Sequence, residues 1–211
     1  MALALSPRIA CIVLAAGAGR RFSHDRDKLL MDLSGKPLLQ HAIDAAAASS
    51  CVACSVVVGD NAERIANAVD LRRCALVQNT QPDDGISSSL RTGLGYHMGE
   101  DACIFMLADQ PYVTPEYIDA LCERFGRRRQ SIVALRQGDV WGAPVLFPNA
   151  DFEALALLRG DAGAKRYALT QRKRLEFVAA RDRRAFADVD SIADYKRLAK
   201  PLKGRRALEN R

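Results

Sequence analysis

Residues 9–28 read IACIVLAAGAGRRFSHDRDK. The apolar, β-branched run Ile9–Ala15 predicts a buried strand. It passes into a loop punctuated by Gly17 and Gly19, followed by Arg20, Arg21 and, a few residues on, Lys28. Small residues let backbone N–H groups approach phosphate oxygens, and arginine and lysine neutralise their charge. Strand, glycine loop and cations in that order point to a nucleoside triphosphate.

Outward from this stretch, apolar runs and helical patterns alternate. Strands are expected at Ser55–Val58, Ala75–Val77, Ala102–Ala108, Ile132–Leu135, Val145–Phe147 and Leu175–Ala179. Between and after them, helices are expected at Pro37–Ala48, Asn61–Val69, Ile86–His97, Glu116–Arg127, Phe152–Leu158, Lys165–Thr170 and Ser191–Leu198. Thr114 and Pro115 form an N-cap and first-turn pair, and Ser191 with Asp194 fits a capping box. Such alternation predicts an α/β fold, a single doubly wound and mostly parallel sheet with helices on both faces. Ala102–Ala108 is almost wholly apolar and is expected to be central in it. Residues 1–199 are read as one domain, and the basic tail KPLKGRRALENR at 200–211 is expected to fray.

The 211 residues, 49% hydrophobic and 27% charged, suit one globular domain with a full core. The net charge of +6 is compatible with an anionic substrate, although a basic run such as Arg124–Arg129 first reads as a helix C-terminus. No apolar run approaches a membrane span, and no basic segment precedes the first apolar stretch as in a signal peptide. A cytoplasmic protein with no membrane or nucleic-acid partner is expected. Of the six cysteines, Cys51 and Cys54 form a lone CxxC without a second pair, and the three histidines show no ligand spacing. The thiols are read as reduced and structural.

The glycine loop is not a dinucleotide fingerprint, because Phe22 stands at the third glycine position and no acidic residue follows a second strand as a ribose ligand. Nor is it a Walker loop. A second element adds specificity: the strand Ala102–Ala108 ends in Asp109-Gln110-Pro111. In open parallel sheets, ligands sit beyond the carboxyl ends of central strands, so Asp109 is placed to hold a Mg²⁺ that bridges phosphates. Asp190, just before the last helix, is the second carboxylate candidate; Mg²⁺ needs few protein ligands when phosphates and water complete its shell. Gly85 followed by Ile86, Ser87, Ser88 and Ser89 offers backbone donors and hydroxyls at a helix start, suited to a base, ribose or phosphate.

Taken together, LAAGAGRRF with Lys28, GISSSLRTGL, LADQP, GAPVLF, GDAGAK and the DVDS ending resemble the molybdenum cofactor nucleotidyltransferases, in their cytidylyltransferase branch. The resemblance runs from Ile9 to about Leu198. It implies a Rossmann-like fold of the nucleotide-diphospho-sugar transferase (GT-A-like) type, which joins CTP to molybdopterin with Mg²⁺. A molybdoenzyme or its chaperone is the implied protein partner. By the same resemblance, Leu14, Ala15, Ala16, Gly17, Gly19, Arg20, Lys28, Gly85, Ser87, Ser88 and Ser89 contact the nucleotide. Lys28, Arg21 and Asp109 are implied as catalytic, and Asp109 with Asp190 as the metal ligands. Ala16 marks the cytidylyl form, where the guanylyl form has a glycine. The chain departs from the pattern at Ser23, where glycine is usual, and at Ala143, where histidine is usual. The second departure bears on the acceptor.

The implied reaction is attack by an acceptor phosphate on the α-phosphorus of CTP. A phosphate nucleophile is ionised at neutral pH and needs no general base, so the protein's task is positioning and charge neutralisation. Use of GTP, a sugar or alcohol phosphate acceptor, or a non-catalytic cofactor-binding role are the alternatives.

Overall fold

A computed structural model describes residues 6–17 and 27–198. Its centre is a seven-stranded sheet built from β1 (Ile9–Leu14), β4 (Ala53–Val58), β5 (Ala75–Gln78), β6 (Ala102–Leu107), β7 (Ile132–Gln137), β8 (Val140–Pro148) and β9 (Leu175–Ala179). The spatial order is β5-β4-β1-β6-β8-β7-β9. All pairings are parallel except those of β8, which runs antiparallel to both neighbours. A small hairpin, β2 (Asp32–Leu33) with β3 (Lys36–Pro37), stands apart from this sheet.

The run of apolar residues in β1 is explained by cover on both faces. Ile9, Cys11 and Val13 point into one core, with Leu38, Leu39 and Ile43 of α1 (Leu38–Ala48) and Ile118, Leu121 and Phe125 of α4 (Pro115–Arg127). Ile65 of α2 (Ala62–Ala68) joins the same side. Ala10 and Ile12 point into the other core, with Leu90 and Leu94 of α3 (Ile86–Tyr96), Phe152 and Leu155 of α5 (Phe152–Ala156), and Ala168 of α6 (Ala164–Thr170). β6 divides in the same way, with Ile104 and Met106 on one side and Cys103 and Phe105 on the other. The expected doubly wound α/β sheet is therefore present.

The expected elements are found, with shifts at their ends that have local causes. Pro37 ends β3 and caps α1, and the turn before β3 is Ser34-Gly35, both at positive φ as a two-residue hairpin demands. The strand expected at Val145–Phe147 begins at Val140, because Gly138-Asp139 turns β7 directly into β8, with Gln137 opposite Val140. That glycine-aspartate pair was the available signal for a hairpin. Ser191 Oγ accepts from Asp194 N–H at 3.1 Å and caps α7 (Ile192–Leu198), as the capping-box pattern predicts. Thr114 stands at the N-cap of α4 with Pro115 at the first turn.

α3 lies unusually close to the sheet at Gly93. A Cβ there would stand 2.5 Å from Ile12 Cγ2 and 2.9 Å from Val57 Cγ2, and both methyls belong to stiff β-branched side chains in central strands. Gly93→Ala is expected to destabilise the fold by about 1–3 kcal/mol through overpacking, measurable as a lower midpoint in urea unfolding with an unchanged m-value.

Candidate active site

The chain runs from β1 to β4 and β5 on one side, then returns to lay β6 on the other side of β1. This reversal opens a crevice beyond the carboxyl ends of β1 and β6, the place where open parallel sheets bind ligands. Leu14 is in register with Leu107, and Ala108 N–H donates to Leu14 O at 3.1 Å. The segments Ala15–Gly17 and Ala108–Asp109 thus emerge side by side. They border a cleft of about 630 Å³.

Lys28 sits on a single 3₁₀ turn, Lys28–Leu30, whose start is capped by the Asp27 carboxylate accepting from Leu29 N–H. Its ammonium lies 2.6 Å from Asp109 Oδ2, 3.1 Å from Val189 O and 3.5 Å from Asp190 Oδ1. Val189 N–H in turn donates to Asp109 O at 3.2 Å. Three segments far apart in sequence are thereby tied at one point. Asp109 and Lys28 are mostly buried, whereas the Asp190 side chain is 56% exposed.

The other wall joins two loops. Gly85 has φ +83°, and a Cβ on it would fall 2.5 Å from Gly160 C and 2.8 Å from Asp161 Oδ1. Only glycine permits this approach. Ser87 N–H donates to Gly160 O at 3.1 Å, so the GISSS and GDAGAK segments form one wall, with Gly85, Ile86, Ser89 and Asp161 facing the cleft. Asn79 Nδ2 donates to Ser88 Oγ and Ser89 Oγ, and Ser88 Oγ donates to Gly85 O. Arg91 Nη1 donates to Ser87 Oγ. Ser87 and Ser88 are fully engaged within the wall rather than among the residues bordering the cleft.

Of the residues expected in a site, Leu14, Ala15, Ala16, Gly17, Lys28, Gly85, Ser89, Asp109 and Asp190 border this cleft. Gly19, Arg20 and Arg21 lie outside the described residues. Sequence reasoning missed Asp188, Asp161, Asp83 and the buried bracing residue Asn79. Asp188 lay within the DVDS segment, two residues from Asp190, but only folding brings it to the cleft.

Asp188 accepts from Gln110 Nε2 at 2.7 Å, and the buried Gln110 Oε1 lacks a hydrogen-bond partner among the described residues. Burial, then the nearby charges of Asp109 and Asp190, push the Asp188 carboxyl above its ordinary value, against the opposing effects of Gln110 and Lys28. Asp83, Asp109, Asp161, Asp188 and Asp190 all face the cleft, and Lys28 is the lining cation among the described residues. Two carboxylates and a carbonyl converging on an ammonium form an all-oxygen donor set, which suits a hard divalent cation such as Mg²⁺. Among the described residues there is no cluster of three or more His, Cys, Asp or Glu side chains shaped as a complete metal cage. A cation here would therefore complete its shell with water or substrate oxygens. His41 and His97 are occupied elsewhere, with Leu33 O and Ser55 Oγ respectively.

Residues 11–176 match the family described as the MobA-like NTP transferase domain. The chain belongs to this family. A solved structure of an Rv0371c homologue from Mycobacterium sp. strain JC1 is 27% identical, with a TM-score of 0.79 over 92% of this chain and 96% of that one. Rv0371c from Mycobacterium tuberculosis H37Rv, in a complex with manganese, is 25% identical, with a TM-score of 0.75 over 92% and 99%. The Bifunctional protein GlmU of Bordetella petrii is 30% identical over 119 residues, 55% of this chain and 26% of that protein. The chain spans about a quarter of the length of the curated relatives it matches. Among the described residues, no helix is long and apolar enough to cross a membrane.

The raised Asp188 pKa has a defined sign in stability. The folded state holds this proton more tightly than the unfolded chain, so stability falls as pH rises from the ordinary carboxyl value through the raised one and stays lower above it. Asp188→Asn is expected to remove that loss. Thermal unfolding in EDTA should show a higher Tm for the variant than for the native protein at neutral pH. The difference should vanish below about pH 4.

Proposed function

We propose that this protein transfers CMP from CTP to the terminal phosphate of molybdopterin, releasing pyrophosphate, with Mg²⁺ held by Asp109 and Asp190. The observation that carries the reading is the meeting of Asp109, Asp190 and Val189 O around Lys28 Nζ, beside the loop that follows β1. The family description and the motif resemblance support nucleotidyl transfer, and a neighbour that takes up manganese supports a divalent cation.

The electrostatics of the cleft favour the same conclusion. Asp109, Asp161, Asp188 and Asp190 against one described lysine would repel a triphosphate. A bound Mg²⁺ supplies the charge neutralisation that turns this acidic lining into a phosphate site. Lys28, with Arg21, then offsets charge that develops on the α-phosphate and the departing pyrophosphate. Backbone N–H groups of Ala15–Gly17 approach the phosphates, and Gly85 with Ser89 lies toward the base and ribose. Ala16 in LAAG favours cytosine over guanine. A molybdoenzyme or its chaperone is the partner to which the product passes.

Ala143 supports one second reading, in which the acceptor is a sugar or alcohol phosphate and the nucleotidyl chemistry is unchanged. The deciding experiment offers each labelled NTP with Mg²⁺ to the protein, with molybdopterin present or absent, and follows pyrophosphate. Release that requires both CTP and molybdopterin is expected. Preference for GTP would overturn the base assignment, and release only with another phosphate acceptor would replace molybdopterin.

Asp109→Ala is expected to lower turnover by at least 10³-fold while far-UV circular dichroism stays unchanged. Near-normal Mg²⁺-dependent activity would remove Asp109 from the site. Lys28→Ala should weaken CTP binding and slow the reaction, and unchanged affinity with unchanged kinetics would exclude Lys28.

A further inference from the structure

At the opposite end of the sheet from the cleft, Cys11, Cys51, Cys54, Cys74 and Cys122 gather on one face, packed into or against the core beneath α1 and α4. The CxxC residues do not pair with each other. Cys54 interacts with Cys74, and its Sγ lies 3.2 Å from Ala46 O. Cys51 interacts with Cys11, and its Sγ lies 4.0 Å from Cys122 Sγ.

The loop that carries Cys51 is held against α4 from two directions. Ser50 N–H donates to Asp119 Oδ1 at 2.7 Å, and Asp119 and Cys122 share one face of α4 at i, i+3 spacing. From the other side, the Arg73 guanidinium donates to the carbonyls of Ala47, Ser49 and Cys51 at 2.6, 2.8 and 2.8 Å. The two sulfurs are therefore kept facing each other by contacts that do not involve the sulfurs. Cys51 is 4% exposed, whereas Cys122 is only partly buried and gives a small oxidant its approach.

We propose that Cys51 and Cys122 are a redox modification site that closes into a disulfide when the protein meets a peroxide. One thiolate of the pair attacks one peroxide oxygen, the O–O bond breaks, and a sulfenic acid and one water result after proton uptake. The other sulfur then attacks the sulfenic sulfur, the S–O bond breaks, and a second water leaves. Two thiols lose two protons and two electrons, and hydrogen peroxide becomes two waters. The sulfurs, 4.0 Å apart, are already in contact and must close to an S–S bond of about 2.05 Å.

The pair has electrostatic support. The Cys122 contact and the Arg73 charge nearby favour the Cys51 thiolate. Closure would tie the α1–β4 loop to α4.

The test treats the reduced full-length protein with hydrogen peroxide under native conditions, blocks free thiols with iodoacetamide, and maps peptides by mass spectrometry without reduction. A Cys51–Cys122 linked peptide is expected, with an intact mass lower by about 2 Da, reversed by dithiothreitol. In Cys122→Ser and Cys51→Ser the link is expected to vanish and dimedone to trap a sulfenic acid on the remaining thiol of at least one variant; the alanine variants, checked for a native circular dichroism spectrum, serve if the serine variants misfold. Both sulfurs remaining alkylatable, or either bonded to another cysteine, would overturn the proposal. Failure of dimedone to trap a sulfenic acid in either set of variants would overturn it as well.

Discussion

Strand β1 is hydrogen-bonded in parallel to β4 on one edge and β6 on the other, with helices covering both faces. Its residues must satisfy two cores at once, and its backbone must satisfy two neighbours. This constraint places β1 in the interior of the sheet, and the chain reverses direction across it. The crevice beyond Leu14 and Leu107 follows, because loops leaving strands on either side of the reversal diverge. The cleft is a by-product of strand order.

What makes that crevice chemically distinct is the charge it gathers. Lys28 bridges Asp109, Val189 and Asp190, and so links the segment after the first loop, the turn after β6 and the approach to α7. Asp188 is drawn into the same group despite its burial and its like-charged neighbours. Such crowding of carboxylates is costly for an empty site and favourable around cations. The opposite wall is rigid for a different reason: Gly85 allows backbone to meet backbone at Gly160, and Asn79 occupies the serine hydroxyls from behind.

The contrast between the two ends of the sheet is notable in physical terms. At the carboxyl ends, the parallel strands present loops, charge and space. At the amino ends, Cys11, Cys51, Cys54, Cys74 and Cys122 fill a packed region in which Arg73 is bound to backbone carbonyls. The same helix, α4, starts a few residues after the Asp109 turn and carries Cys122 further along.

Much of this was legible in the residues. Unbroken apolar runs in β1 and β6 declared strands buried on both faces, because hydrophobicity without alternation has no solvent side to explain it. Lys28, Asp109 and Asp190 could be named from their positions after strands or before a helix. The β7–β8 hairpin was written in Gly138-Asp139 and β8 was still read short, because Trp141–Ala143 lack a clear period. The sequence by itself determined which segments become strands and helices and which side chains carry charge, since these depend on local periodicity and residue chemistry. Only the tertiary structure decided that Asp188 and Asp161 face the same cleft, that Ser87 and Ser88 turn into its wall, and that Cys51 meets Cys122 rather than Cys54. Those outcomes depend on how distant segments pack against a shared sheet, and local residue patterns carry no record of that distance.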